Sequence, residues 1–187
     1  MKRLCSLALV FVLFLTGCGA GASELDEAMA LREKLLKASG CSFDASVTAD
    51  YGDKLFSFRL RCQGDSTGNL TFSVLEPESI AGISGTVSSD GGALTFDGTA
   101  LSFPMMADGQ VTPVTAPWLL LKTLRGGYLA SAGREENRLR MAIDDSYRDD
   151  ALHLDIWAEE GNPVRGEILY DGRKILSVDV ADFQFLS

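Results

Sequence analysis

The chain has 187 residues, with 17 basic against 26 acidic side chains, for a net charge of −9. So acidic a balance argues against nucleic acid as a partner and against electrostatic docking on an anionic bilayer. The length suits one domain with a sizeable core.

Lys2 and Arg3 precede an apolar run from Leu4 to Leu15. This is the positive region and hydrophobic core of an export signal. At roughly 12 residues it is too short for the ~20 of a membrane-spanning helix. The stretch Leu15-Thr16-Gly17-Cys18 resembles the bacterial lipobox. That resemblance implies cleavage after Gly17 and acylation of the Cys18 thiol by palmitate-like chains. The expected plan is a signal peptide over 1–17, a lipidated tether over 18–22 and a folded domain over 23–187. Two or more acyl chains anchor stably where one does not. The expected location is therefore the extracytoplasmic face of a bacterial membrane, in the cell envelope. Without the signal, 15 basic residues remain against 26 acidic, for −11, so lipid rather than charge must supply the attachment.

Ser23 can cap a helix, with Asp26 three positions on, and Gly40 supplies the stop. Leu25, Ala28, Met29, Leu35 and Leu36 recur between them at helical spacing, which predicts a helix with one apolar, core-packing face.

From Cys41 the apolar period changes from 3.6 to 2. A turn centred between Tyr51 and Gly52 pairs Cys41 with Cys62, Phe43 with Leu60, Ala45 with Phe58 and Val47 with Phe56. On the other face Asp44 meets Arg59. Two cysteines facing each other in an exported hairpin predict a Cys41–Cys62 disulfide. With 20 intervening residues it would contribute ~3 kcal/mol. Two thiols and the single histidine make neither a C-x-x-C redox motif nor a tetrahedral zinc site.

Alternation continues through Leu70 to Val74, Ile83 to Val87, Leu94 to Phe96 and Leu101 to Phe103, with Asp97-Gly98 as a hairpin turn. It resumes at Leu139 to Ile143, Leu152 to Ala158, Val164 to Tyr170 and Ile175 to Phe185. One segment interrupts it. "TAPWLLLKTLRGG" places Pro117 in a first turn and Gly126-Gly127 at a stop, and its helix is apolar nearly all round, so it must be buried. The expected fold class is α+β: a strongly curved antiparallel sheet, open or half-barrel, of about eleven strands, wrapped around the N-terminal helix and this mid-chain plug.

The order of elements, with "GNLTFSVLEPESIAGISGTVSSDGGALTFDG" and "NPVRGEILYDGRKILSVDVADFQF", is similar to the LolA/LolB lipoprotein-carrier superfamily, whose germination-lipoprotein branch is also lipidated and acidic. The carriers imply binding of lipid or lipoprotein acyl chains in an apolar cavity. The germination branch implies instead an interaction module that docks or stabilises a cell-envelope enzyme such as a cell-wall amidase. Lining candidates for a cavity are Phe43, Phe56, Phe58, Leu60, Phe72 and Phe96, with Trp118 and Leu121 as plug. Alternation assigns these side chains to one face and leaves open whether they line a cavity or fill it.

No G-x-S-x-G elbow, Lys-Ser/Thr phosphate signature or EF-hand spacing occurs, so neither an enzyme nor a cofactor or metal is expected. His153 alternates with Leu152 and Leu154 and so points to the polar face. The expected partners are the membrane through Cys18, a lipid or acyl chain, and a cell-envelope protein, with no nucleic acid.

Overall fold

The structure, a computed structural model, describes residues 20–187 except 53, 108–109 and 149–150, so the signal segment and Cys18 lie outside the described residues. Helix α1 spans Ala20–Lys37. The described helix includes residues 20–22, ahead of the expected cap at Ser23. Its sequence carries no proline and no β-branched residue to oppose that extension. Lys34 and Lys37 in the last turn complement the helix dipole.

Six strands follow: β1 (Gly40–Asp50), β2 (Leu55–Asp65), β3 (Leu70–Glu76), β4 (Ser84–Ser88), β5 (Gly91–Phe96) and β6 (Thr99–Phe103). A short pair, β7 (Met106–Ala107) and β8 (Gln110–Val111), leads into helix α2 (Ala116–Gly126). Five more strands complete the chain: β9 (Tyr128–Glu135), β10 (Arg138–Asp144), β11 (His153–Glu159), β12 (Asn162–Tyr170) and β13 (Arg173–Leu186). Eleven of them form one open, curved antiparallel sheet in the order β6-β5-β4-β3-β2-β1-β13-β12-β11-β10-β9. The first and last strands therefore pair in the middle, and each half is a meander running outward or inward from that seam. β9 is an edge strand whose sequence, YLASAGRE, carries no regular apolar alternation and is mostly exposed or half-buried.

The first hairpin corrects the expected register. Asp50 pairs with Leu55, which places Phe43 opposite Cys62, Ala45 opposite Leu60, Val47 opposite Phe58 and Ala49 opposite Phe56. The turn is centred one residue later than expected. Gly52 there takes a left-handed φ of +90°, and its amide donates to Asp50 Oδ1 at 2.8 Å. A shift of two partners preserves every side chain's face, which is why alternation is blind to it. Asp44 now lies directly across from Arg61, yet Arg59 Nη2 and Arg61 Nε both donate to its carboxylate at 3.2 Å.

The central seam contains a bulge. Ser42 pairs with Gln184 and Asp44 with Ala181, and Asp182 takes a positive φ of 55°. The extra residue switches the parity of β13, so that Val178 and Val180 before it, and Phe183 and Phe185 after it, pack against the same core. Phe183 stacks on Phe43 with ring centroids 5.5 Å apart.

The chain leaves the sheet at edge strand β6 and re-enters at the opposite edge, β9. The connecting segment must cross a face, and α2 crosses the apolar one. It packs on β1, β2, β10, β11 and β13, with Trp118, Leu119, Leu120, Leu121 and Leu124 all buried. Gly166 of β12 makes room for it, since a Cβ there would sit 2.6 Å from Leu120 Cδ1. α1 packs beside α2 on the β9–β10 side through Ala28, Leu31 and Leu35. Arg32 ties the two helices together: Nε donates to Leu124 O at 2.7 Å and Nη2 to Gly127 O at 2.9 Å. A cation here satisfies carbonyls at the end of α2, where the helix dipole favours it. Partial burial lowers its pKa from the usual arginine value. Replacing Arg32 with Met is expected to lower stability by about 2 kcal/mol, through the loss of two charge-assisted bonds. The check is a lower denaturant midpoint at unchanged m-value.

Candidate functional site

Pairing carries one line of facing positions across the sheet from Phe43 through Cys62, Phe72, Gly85 and Leu94 to Leu101. Phe56, Phe58, Leu60 and Phe96 share that face by strand parity. The expected lining residues are therefore on one side of the sheet, but the helices divide them. Phe43, Leu60 and Phe72 are buried in the closed core and Phe58 is half-buried against it. Phe56 (41% exposed) and Phe96 (59% exposed) stand at hairpin ends beyond the reach of α2.

Trp118 is the organising residue. Its indole Nε1 donates to Gly68 O at 2.8 Å, and Lys122 Nζ lies 5.4 Å from its ring centroid. An apolar recess of about 280 Å³ opens on one side of the ring, walled by Leu36, Trp118 and Leu121, with Lys122 and Arg125 at its rim. A second recess of about 180 Å³ also borders the ring, walled by Met105, Val111, Trp118, Leu119 and Leu152. Lys122 borders both and reaches Asp145 at 3.7 Å across the second. Each recess is smaller than the ~300–1,000 Å³ of ordinary small-molecule sites, while the two joined would fall within it. Trp118 is a wall of both.

The mouth of the larger recess is built by the 65–69 loop. Asp65 Oδ1 accepts from the Thr67 hydroxyl at 2.7 Å and from the amides of Thr67 and Asn69 at 2.9 and 3.0 Å. These bonds, the hydroxyl's foremost, hold the Asp65 carboxyl below its ordinary pKa. Gly68 supplies the left-handed φ of +93° that aims its carbonyl at Trp118. Arg125 Nη1 fixes the loop from the other side, donating to Asp65 O at 2.8 Å.

Lys122, Arg125 and the loop carry no signature that alternation detects. A signal was nonetheless present: Trp118, Lys122 and Arg125 stand at i, i+4 and i+7 of an otherwise apolar helix. Lys122 and Arg125 on that stripe are where α2 meets solvent.

The outer face of the sheet has a different chemistry. A groove of about 380 Å³ runs over β9 to β12, lined by Glu135, Arg138, Arg140, Asp155, Trp157 and Arg165 among others. Arg140 donates to both Asp155 oxygens at 2.9 and 3.2 Å, and Arg165 donates to Glu167 at 2.6 Å. Trp157 lies against both guanidinium groups, 5.6 and 5.7 Å from its centroid. The groove's acidic and basic side chains pair with one another, and polar groups dominate its lining. His153 is on this face too, with Nδ1 2.8 Å from Asp144 Oδ1. Among the described residues no three His, Cys, Asp or Glu side chains are grouped to hold a metal ion; Asp149 and Asp150 of the acidic turn lie outside them.

No family model and no curated protein matches the chain. Among solved structures it is similar to an uncharacterized conserved protein from Thermus thermophilus, with 12% identity and a TM-score of 0.48 over 87% of this chain and 88% of that one. A LolA superfamily protein from Nitrosomonas europaea is similar at 10% identity and a TM-score of 0.45, over 86% and 94% of the two chains. The lipoprotein LppX from Mycobacterium tuberculosis is similar at 9% identity and a TM-score of 0.41, over 86% and 93%. The likeness is one of chain path.

The two cysteines correct a further expectation. Cys41 lies opposite Gly64 and Cys62 opposite Phe43, so the thiols are diagonal neighbours, and both are free and buried in this structure. Burial is the main cause that pushes both thiols above the ordinary cysteine range. A raised pKa leaves the unreactive protonated form dominant at pH 8. Neither thiol is therefore expected to react with iodoacetamide in the folded protein at that pH, and both should react once denatured. A bridge would instead block both after denaturation until a reductant is added.

Proposed function

We propose that this chain is a non-catalytic, lipid-anchored protein of the bacterial cell envelope that binds an acyl chain beside Trp118. The observation that carries the reading is a pair of apolar recesses that share Trp118 as a wall. Rotation of the Trp118 ring about its side-chain bonds would join them into a single slot without unseating α2, whose leucines hold it to the sheet. Most of an acyl chain's binding free energy comes from removing its methylenes from water, about 0.8 kcal/mol for each one buried. Lys122 and Arg125 at the rim add a cationic border suited to a carboxylate or phosphate head group.

In the same reading, removal of residues 1–17 and acylation of Cys18 tether the domain to the extracytoplasmic side of its membrane. No helix among the described residues is long and apolar enough to cross a bilayer. The anchor and the site are thus separate: one set of acyl chains is covalent, and the other is the ligand.

Native mass spectrometry after mild detergent extraction tests this. The wild-type protein should carry a co-purified lipid whose mass exceeds that of the covalent modification. Leu36→Glu, which sets a carboxylate into an exposed wall of the larger recess, should lose it while keeping the wild-type circular dichroism spectrum. A wild-type protein that emerges bare, and takes up no fatty acid or phospholipid on titration, would rule the reading out.

A further inference from the structure

The expected apolar face of α1 is wider than the part the core uses. Ala28, Leu31 and Leu35 are buried, but Leu25, Met29 and Leu36 are 45%, 48% and 57% exposed. At about 100° per residue these three fall within roughly 40° of one another around the helix. They form a straight stripe about 17 Å long, at 1.5 Å per residue. Position 32 falls on the same line, and its arginine would interrupt the stripe with a charge. Its guanidinium is instead turned inward onto Leu124 O and Gly127 O. The stripe is thus left apolar from end to end, with Asp26 and Glu33 beyond one margin and the core-facing residues beyond the other.

Two further observations say what covers it. α1 is described from Ala20 onward, two positions after the lipobox cysteine in the sequence. At the far end Leu36 is also a wall of the larger recess, beside Trp118 and Leu121. The stripe therefore runs from the expected anchor to the mouth of the candidate site. A helix standing upright on that anchor would hold Leu36 about 24 Å from the lipid. Lying flat, it buries all three side chains in the interface and brings the recess to the membrane surface.

We infer that α1 is an interfacial helix whose Leu25–Met29–Leu36 stripe lies on the lipid surface to which Cys18 is tethered, and that this presents the Trp118 recess to the bilayer. The surface must be largely zwitterionic, because a mature charge of −11 opposes approach to an anionic one. The inference rests on the acylation of Cys18 proposed above.

The test uses the acylated full-length mature protein in phosphatidylcholine vesicles, with an environment-sensitive fluorophore on Met29→Cys and, separately, on Ala30→Cys. Both positions are exposed, but Ala30 lies about 100° around the helix from Met29. The buried native thiols are spared by labelling the folded protein. Spin-labelled lipid should quench the probe at position 29 severalfold more than at position 30, with a blue-shifted emission at 29 only. Replacing both Leu25 and Leu36 with Gln, two exposed residues, should erase that difference without changing the melting temperature. Equal, weak quenching at both positions on a protein whose intact mass shows its acyl chains would overturn the inference and leave the anchor standing. A mass without acyl chains would overturn the anchor, and with it this inference.

Discussion

Two ends of one sheet have to be joined across its face, and the rest of the structure follows from that constraint. Because β1 and β13 pair at the centre, the two meanders grow outward and their free strands, β6 and β9, are the opposite edges. The connecting chain cannot run through solvent along the outer face, which is studded with paired charges. It crosses the apolar face, and whatever crosses there must be apolar toward the sheet. The leucines of α2 meet that demand, Gly166 gives Leu120 its seat, and Arg32 closes the helix's open carbonyls from the neighbouring helix. Hydrophobic burial places α2, and charge-assisted hydrogen bonds finish its end.

The same crossing explains where the recesses are. A rod laid over a curved sheet fills the middle and leaves gaps along its flanks, at the places where loops must close over it. The 65–69 loop closes one flank, and Asp145 with Leu152 borders the other. There the Asp145 amide donates to Leu152 O at 3.0 Å, and the Asp145 carboxylate accepts from the Leu152 amide at 2.9 Å. Trp118 and Lys122 border both recesses. Trp118 suits that place: it is large enough to wall two apolar spaces, and its one polar atom finds a partner in Gly68. Lys122 can border both spaces because its stem is apolar and its head reaches Asp145. The site is thus a by-product of packing that the sequence has furnished with an aromatic wall and a cationic rim.

Helix α1 then has two tasks that its composition shows together. One side seals the core, and an adjacent side carries Leu25, Met29 and Leu36, each about half exposed. Such a doubled apolar arc is costly on a protein that floats free, where exposed leucines only invite association. On a tethered protein the exposed arc can contribute to attachment. The inward-turned Arg32 serves both tasks, since it caps α2 and removes a charge from the outer stripe.

Strand identity, the sidedness of each strand, the buried mid-chain helix and the acidic character were legible in the residues, because each depends on local periodicity or on composition. Phe43, Leu60 and Phe72 could be assigned to the inner face by alternation alone, and Trp118 and Leu121 to a buried helix by its apolar circumference. Which partner faced which was not legible: the turn at Gly52 moved every pair by two, and separated Cys41 from Cys62, without changing a single face. Edge strand β9 escaped because an exposed edge needs no apolar alternation. The division of one greasy face into closed core, two recesses and bare hairpin tips was decided only by where α2 comes to rest. Periodicity records which way a side chain points, whereas the space beside it is set by elements distant in the chain.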